Sequence, residues 1–252
     1  MVKLFIKDVL GIGSDQPGLY GESSAYYGTV EQQGRLTLHL HLLLWISGSL
    51  SPQEIRTNMM DVNSAFRQKM LEYLEGAHQG HFIDKNLSEV ENDVKFAESD
   101  PLYKNPTQTL PDIPPVPCNH SSDPQCPRCD TSNKWWIKFK GTVNDLLYRS
   151  NIHSCGDHCL VNGVCKARFP RPIIPQTIVD DNDGSIQLKK LEERLNTFTP
   201  TLTYLLRSNS DVTSLLSGTA LKAVVAYVTD YITKTPLKTY TIFQTIRDVF
   251  DR

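Results

Sequence analysis

Leu36-Thr37-Leu38-His39-Leu40-His41-Leu42-Leu43-Leu44-Trp45-Ile46 is the stretch on which the reading of this chain turns. Every even-numbered position in it is Leu or Ile, and the odd positions begin Thr37, His39, His41. Successive side chains of a β-strand point to opposite faces, so one face is an unbroken aliphatic row and is expected to be buried. The opposite face carries two imidazoles about 7 Å apart along the strand, close enough for both to reach one metal ion. The competing reading is two polar rings on a solvated strand face.

Upstream, residues 25–33 have strand character and are expected to pair with this strand across a turn at Gly34-Arg35. Gly11, Gly13, Pro17, Gly18 and Gly21 punctuate a loop before it, and residues 1–50 as a whole read as β-rich. Downstream, Ser51-Pro52-Gln53-Glu54 has the form of a capping box with proline at the first helical position. A second helical pattern follows, with Phe66, Met70, Tyr73 and Leu74 on one face and Gly76 as its stop. Residues 84–100 are acidic and weakly patterned, and 101–117 read as a proline-rich extended linker. Residues 134–150 look helical, with Trp135, Phe139, Val143 and Leu146 on one stripe. Two further helical patterns cover roughly 187–207 and 219–234.

The 252 residues suffice for one large domain or a domain with a sizeable insertion. Net charge is −2, so any attraction to nucleic acid must come from local patches. One such patch is visible: residues 134–171 hold seven basic side chains (Lys134, Lys138, Lys140, Arg149, Lys166, Arg168, Arg171) against Asp145 and Asp157. No apolar run approaches the ~18 residues of a membrane span. The opening Met1-Val2-Lys3-Leu4-Phe5-Ile6 breaks off at Lys7-Asp8, unlike a secretory leader. A nuclear or cytoplasmic, non-secreted protein is expected, in which six cysteines are free or metal-bound.

The cysteines fall into two groups. Cys118, His120, Cys126 and Cys129 place four soft or borderline ligands in twelve residues, and the Cys-x-x-Cys spacing is a recurring half-site for structural zinc. The second group is His153, Cys155, His158, Cys159 and Cys165, one more than a tetrahedral ion needs. Two separate Zn²⁺ sites fit the counts, and so does one mixed site joining Cys126 and Cys129 to Cys155 and Cys159. Reduced core thiols are the plain alternative. Trp135 and Trp136 can stack on bases, although helix packing is the simpler role. His78 and His81 flank a Gly-rich turn and carry no assigned function.

Near the end of the chain, Leu221, Val225, Val228 and Ile232 form a narrow helical stripe. Tyr227 and Tyr231 are neighbours on the flank of that helix, about 80–120° from the stripe, with Lys234 beside Tyr227. A phenol with a pKa of about 10 is a poor nucleophile at neutral pH. A divalent cation that polarises a phosphodiester makes its attack easier. A His pair on a strand and a Tyr pair on a helix are thus complementary halves of one chemistry.

Taken together, these residues resemble a known family. Thr29-Val30-Glu31-Gln32-Gln33-Gly34-Arg35 running into His39-Leu40-His41 and Trp45 looks like the Helitron helicase-like N-terminal domain of rolling-circle transposases. Cys165-Lys166-Ala167-Arg168-Phe169-Pro170-Arg171 and Tyr227-Val228-Thr229-Asp230-Tyr231-Ile232-Thr233-Lys234 follow the same family's pattern. The resemblance implies a relaxase-type (HUH, two-tyrosine) nuclease. Tyr227 and Tyr231 would be its nucleophiles, and His39 and His41 would hold Mg²⁺ or Mn²⁺. Glu31 or Gln33 would be the third metal ligand, and single-stranded DNA the substrate.

Lys234, Arg168 and Arg171 are the expected phosphate contacts. No Gly-x-x-x-x-Gly-Lys-Ser/Thr is present, so helicase activity is not carried over, and a helicase domain is expected in a longer or separate chain. Little chain precedes the hairpin, so an upstream strand of the nuclease sheet is expected to be missing. The alternative function is a catalytically inactive, zinc-stabilised DNA-binding fragment of such a transposase.

The expected fold is α+β: an antiparallel sheet carrying the His-Leu-His strand, packed by helices, with a Cys-rich insertion. Its parts are 1–100 as the N-terminal part of the nuclease domain, 101–175 as linker and zinc-binding insertion, and 176–252 as the helical part with the tyrosine pair.

Overall fold

Two strands anchor the first part of the molecule: β1 (Ser23–Gln32) pairs antiparallel with β2 (Leu38–Ile46). The structure is a computed structural model that describes residues 2–32, 38–118, 120, 125–156, 159–216 and 222. The register sets Ala25 against Trp45, Tyr27 against Leu43, Thr29 against His41 and Glu31 against His39, all on one face. The aliphatic row lies on the other. Gln33 and the turn at Gly34-Arg35 lie outside the described residues, as does all of the last expected helix, 219–234, except Lys222. The fold is α+β, as the alternation and the helical stripes imply.

Two expectations about this region are corrected. The chain opens helically, with α1 (Val2–Leu4) running into a π-helical turn at Phe5–Val9, so residues 1–50 are not uniformly β-rich. The aliphatic row is not sealed: Leu40, Leu42 and Leu44 are half-buried and Leu38 is 74% exposed. The sheet has two strands among the described residues, and a two-stranded ribbon buries little on its own. The loop before β1 closes backbone on backbone. A Cβ on Gly18 would meet the carbonyl carbon of Leu10 at 2.1 Å, and Gly11 opposite it takes φ +70°. Only glycines allow that approach.

The Ser51–Glu54 capping box forms as expected. Glu54 Oε2 accepts from the Ser51 backbone N–H at 2.8 Å, the Glu54 N–H donates back to Ser51 Oγ at 3.3 Å, and α2 runs Pro52–Met59.

The chain divides into two compact units, and the second spans Asn58–Ser214. It contains α3 (Ala65–Ala77), α4 (Leu87–Glu98), α5 (Pro127–Ser150) and α6 (Pro200–Leu206), with short ladders β3–β4 (Leu160–Val161, Val164–Cys165) and β5–β6 (Ile178–Val179, Ile186–Gln187). The stripe on α5 behaves as its spacing predicts. Phe139, Val143, Leu146 and Leu147 are buried, and Trp135 packs against the cluster that Phe139, Val143 and Leu147 form with Phe82, Val90, Val94, Leu195, Phe198 and Tyr204. Burying each large apolar side chain contributes about 1.5–3 kcal/mol.

Buried asparagines join this core to the loops. Asn144 Oδ1 accepts from the Ile83 N–H at 2.9 Å while its Nδ2 donates to the Ile83 carbonyl at 2.9 Å. Asn151 does the same with Ser210, accepting at 3.1 Å and donating at 2.9 Å.

Four segments here differ from their local reading or go beyond it. Residues 84–100 contain α4, begun by a reciprocal capping box between Asn86 and Glu89, with Val90 and Val94 buried; only two core positions show in an acidic sequence. The 101–117 segment is a strap packed on the helices: Pro106 is buried, Tyr103 Oη donates to Asp145 at 2.5 Å, and the Asp112 N–H donates to Tyr204 Oη at 3.1 Å. Helix α5 begins at Pro127, seven residues before the expected start, because Pro127 suits the first helical position. The pattern at 187–207 is helical only over Pro200–Leu206. Leu195 and Phe198 do enter the core, but from extended backbone bridged to Ile152 and Gln79, and the residue before Pro200 is held out of the helical region.

Candidate functional site

The hairpin register decides which polar groups meet. Glu31 pairs with His39 in the ladder, and its Oε2 lies diagonally 3.3 Å from His41 Nε2. Thr29 sits opposite His41. One face near the Gln32–Leu38 end of the ladder therefore gathers a carboxylate and two imidazoles. His39 Nδ1 is buried with no hydrogen-bond partner among the described residues. A buried ring nitrogen left unsatisfied costs about 1–3 kcal/mol, which a cation or a water would relieve.

The donor set, two imidazoles and a carboxylate, suits a divalent ion such as Mn²⁺. Its three ligand atoms are not gathered within 4.8 Å of one another, as two other groups are. Of the expected nuclease residues, Glu31, His39 and His41 share one face, while Gln33, Tyr227, Tyr231 and Lys234 lie outside the described residues.

The two other groups are the cysteine clusters. Cys118, His120, Cys126 and Cys129 each bring one ligand atom, all within 4.8 Å of one another. His153, Cys155, Cys159 and Cys165 do the same, and His158 lies outside the described residues. In the first, Cys118 Sγ is 3.7 Å from Cys126 Sγ and 3.6 Å from Cys129 Sγ. In the second, His153 Nε2 is 3.7 Å from Cys159 Sγ and 3.3 Å from Cys165 Sγ. The mixed site that joins Cys126 and Cys129 to Cys155 and Cys159 is not among these groups.

Each cluster has one sulfur cradled by backbone N–H groups. Those of Cys129 and Arg128 donate to Cys126 and hold its thiol down to about 7; those of Phe169 and Ala167 do the same for Cys165, which is also lowered. Removal from water and neighbouring sulfurs push Cys118 up to about 11 and raise Cys155. The second cluster is also buttressed: the His153 ring stacks on Phe169 with centroids 4.3 Å apart, and the Arg171 guanidinium lies over Phe169, 4.4 Å from its ring centroid.

The basic stretch is largely neutralised, in part by acids from distant segments and in part by neighbours one helical turn away. Lys138 pairs with Asp112 at 2.5 Å, Lys140 with Asp84 at 2.7 Å, and Arg149 with Glu98 at 2.8 Å as well as with Asp145 on its own helix at 2.5 Å. Lys134 pairs with Asp130 at 2.8 Å. Arg171 bonds Asn196 at 3.3 Å in addition to its stack. Lys166 and Arg168, which follow the β3–β4 hairpin, are exposed, and no ion pair engages either among the described residues. Trp135 is committed to packing, stacked on Phe139 at 5.2 Å, and Trp136 is 51% exposed.

Residues 1–44 match the family described as the Helitron helicase-like domain at N-terminus. The match takes in Glu31, His39 and His41 and stops before the cysteine clusters and the tyrosine pair. Comparison with curated proteins and with solved structures gives no match. No helix among the described residues is long and apolar enough to cross a membrane.

Proposed function

We propose that this chain takes part in rolling-circle (Helitron-type) transposition by metal-dependent, tyrosine-mediated nicking and strand transfer of single-stranded DNA. The observation that carries this reading is the hairpin face on which Glu31 joins His39 and His41, inside the segment similar to the Helitron domain. In it, Glu31, His39 and His41 would hold Mg²⁺ or Mn²⁺, and the ion would polarise the scissile phosphate and offset the charge developing on it. Tyr227 or Tyr231 gives up its phenolic proton and its oxygen attacks phosphorus. The P–O bond to tyrosine forms as the bond to the 3′ oxygen breaks, leaving a 5′-phosphotyrosine and a free 3′-hydroxyl. The second tyrosine accepts the second strand, and Lys234 offsets phosphate charge.

The test is covalent capture. Purified protein with Mn²⁺ and a labelled single-stranded oligonucleotide is expected to yield a protein–DNA adduct that survives denaturation. Tyr227→Phe/Tyr231→Phe is expected to abolish it, and an adduct that persists in that variant rejects the assignment. A second reading is a non-cleaving, zinc-stabilised DNA-binding module, favoured by the two assembled Cys/His quartets. It predicts binding without adduct, unaffected by His39→Ala.

A further inference from the structure

We propose that the chain holds two separate structural zinc ions, one on Cys118, His120, Cys126 and Cys129 and the other on His153, Cys155, Cys159 and Cys165. This inference is independent of whether the protein nicks DNA.

Distance supports tetrahedral geometry. Ligands on tetrahedral Zn²⁺, with Zn–S about 2.3 Å and Zn–N about 2.0–2.1 Å, stand about 3.8 Å apart for two sulfurs and about 3.5 Å apart for sulfur and nitrogen. The sulfur pairs in the first quartet are 3.6 and 3.7 Å apart, and the nitrogen–sulfur pairs in the second are 3.3 and 3.7 Å apart. These are edges of a tetrahedron and too long for disulfides, whose sulfurs sit about 2.0 Å apart. All six cysteines are free thiols.

Ligand chemistry supports the metal. Three thiolates and a neutral imidazole are a recurring structural zinc set, and four protein ligands leave no open position for a substrate or a reactive water. The backbone N–H groups aimed at Cys126 and Cys165 are the partners that orient and stabilise metal-bound sulfur.

Architecture fixes the number. Cys126 caps the start of α5, and His153 follows its C-cap, Asn151. A helix of 24 residues spans about 36 Å, so the two groups cannot share an ion. The first ion ties the end of the 101–117 strap to the beginning of α5; the second ties the segment leaving α5 to the β3–β4 hairpin and the Phe169 stack.

Metal analysis of the full chain, purified without added metal and passed over a chelating resin, is expected to give two zinc ions per chain. X-ray absorption at the zinc edge is expected to show an average shell of three sulfurs and one nitrogen. Cys126→Ser/Cys129→Ser and Cys159→Ser/Cys165→Ser are each expected to lose one ion and keep the other. His120→Cys and His153→Cys, which preserve four soft ligands, are expected to keep both. One ion or none in the wild-type chain, an oxygen-rich shell, or loss of both ions in either double variant alongside retention of a folded circular-dichroism spectrum overturns the proposal. If a double variant does not fold, stoichiometry and absorption on the wild type still decide it.

Discussion

The carboxylate of Glu31 reaches past its ladder partner His39 to stand 3.3 Å from Nε2 of His41. That diagonal contact across two strands makes a single polar face of residues 31, 39 and 41. If this face holds the catalytic cation with Glu31 as a ligand, Glu31→Ala should weaken Mn²⁺ binding by more than the roughly 10–100-fold that losing an outer-shell partner costs. Mn²⁺ titration followed by electron paramagnetic resonance reads it directly. Unchanged affinity in Glu31→Ala and His41→Ala would place the ion elsewhere.

The charge pairing in the basic stretch separates two sets of lysines and arginines. If the proposed binding of single-stranded DNA holds, Lys138→Glu/Lys140→Glu, which removes cations already held by Asp112 and Asp84, is expected to change its affinity little at constant salt. Lys166→Glu/Arg168→Glu removes exposed cations. It is expected to weaken binding and to flatten the salt dependence by about 0.7 log units for each phosphate no longer neutralised. Anisotropy titrations at several salt concentrations compare the two; equal losses would show that the pairing does not matter.

Acid should loosen the Asn58–Ser214 unit. Burial holds His78 and His81 below the ordinary imidazole range, and His78 Nε2 is 3.0 Å from Ser214 Oγ. Unfolded imidazoles titrate at about 6.5. Below that pH the unfolded chain takes up protons that the folded chain refuses, so this stability is complete above about pH 6.5 and is lost as pH falls toward the folded values. Urea midpoints are expected to fall over that window, and less steeply in His78→Gln. Lys190 acts in the same direction at higher pH. Burial brings it from 10.5 to about 8, so the folded state releases its proton first and stability rises between those values.

The core and its asparagine clamps should be separable by mutation. Phe198→Ala empties a fully buried site and is expected to cost about 3–5 kcal/mol. Asn144→Ala leaves the Ile83 N–H and carbonyl without their side-chain partner and is expected to cost about 1–3 kcal/mol for each group left unsatisfied. Equilibrium urea unfolding measures both. A cost near zero for Asn144→Ala would mean that water replaces the clamp.

Local pattern carried much of this molecule. Alternation at 36–46 identified β2 and put His39 and His41 on one side; the Ser51–Glu54 spacing found a helix start; the Trp135–Leu146 stripe found the buried face of α5. Where local pattern failed, the deciding interactions came from far along the chain or were masked by composition. The Asn86–Glu89 box that begins α4 was present in the sequence but hidden in an acidic run. Leu195 and Phe198 mimic a helical spacing while their backbone is bridged to Ile152 and Gln79. The strap at 101–117 resembles a linker until Tyr103 meets Asp145.

The amino-acid order alone settled the types of ligand available, because Cys, His and Glu are legible as donors wherever they lie. It also settled which neighbours share a strand or helix face, because those periods are fixed by backbone geometry. Only the tertiary structure chose between two Cys/His quartets and one mixed site, and only it set Lys138 and Lys140 against acids. Both outcomes depend on the path of the chain between segments: a 24-residue helix holds one cysteine group away from the other, and folding brings Asp112 and Asp84 to the lysines.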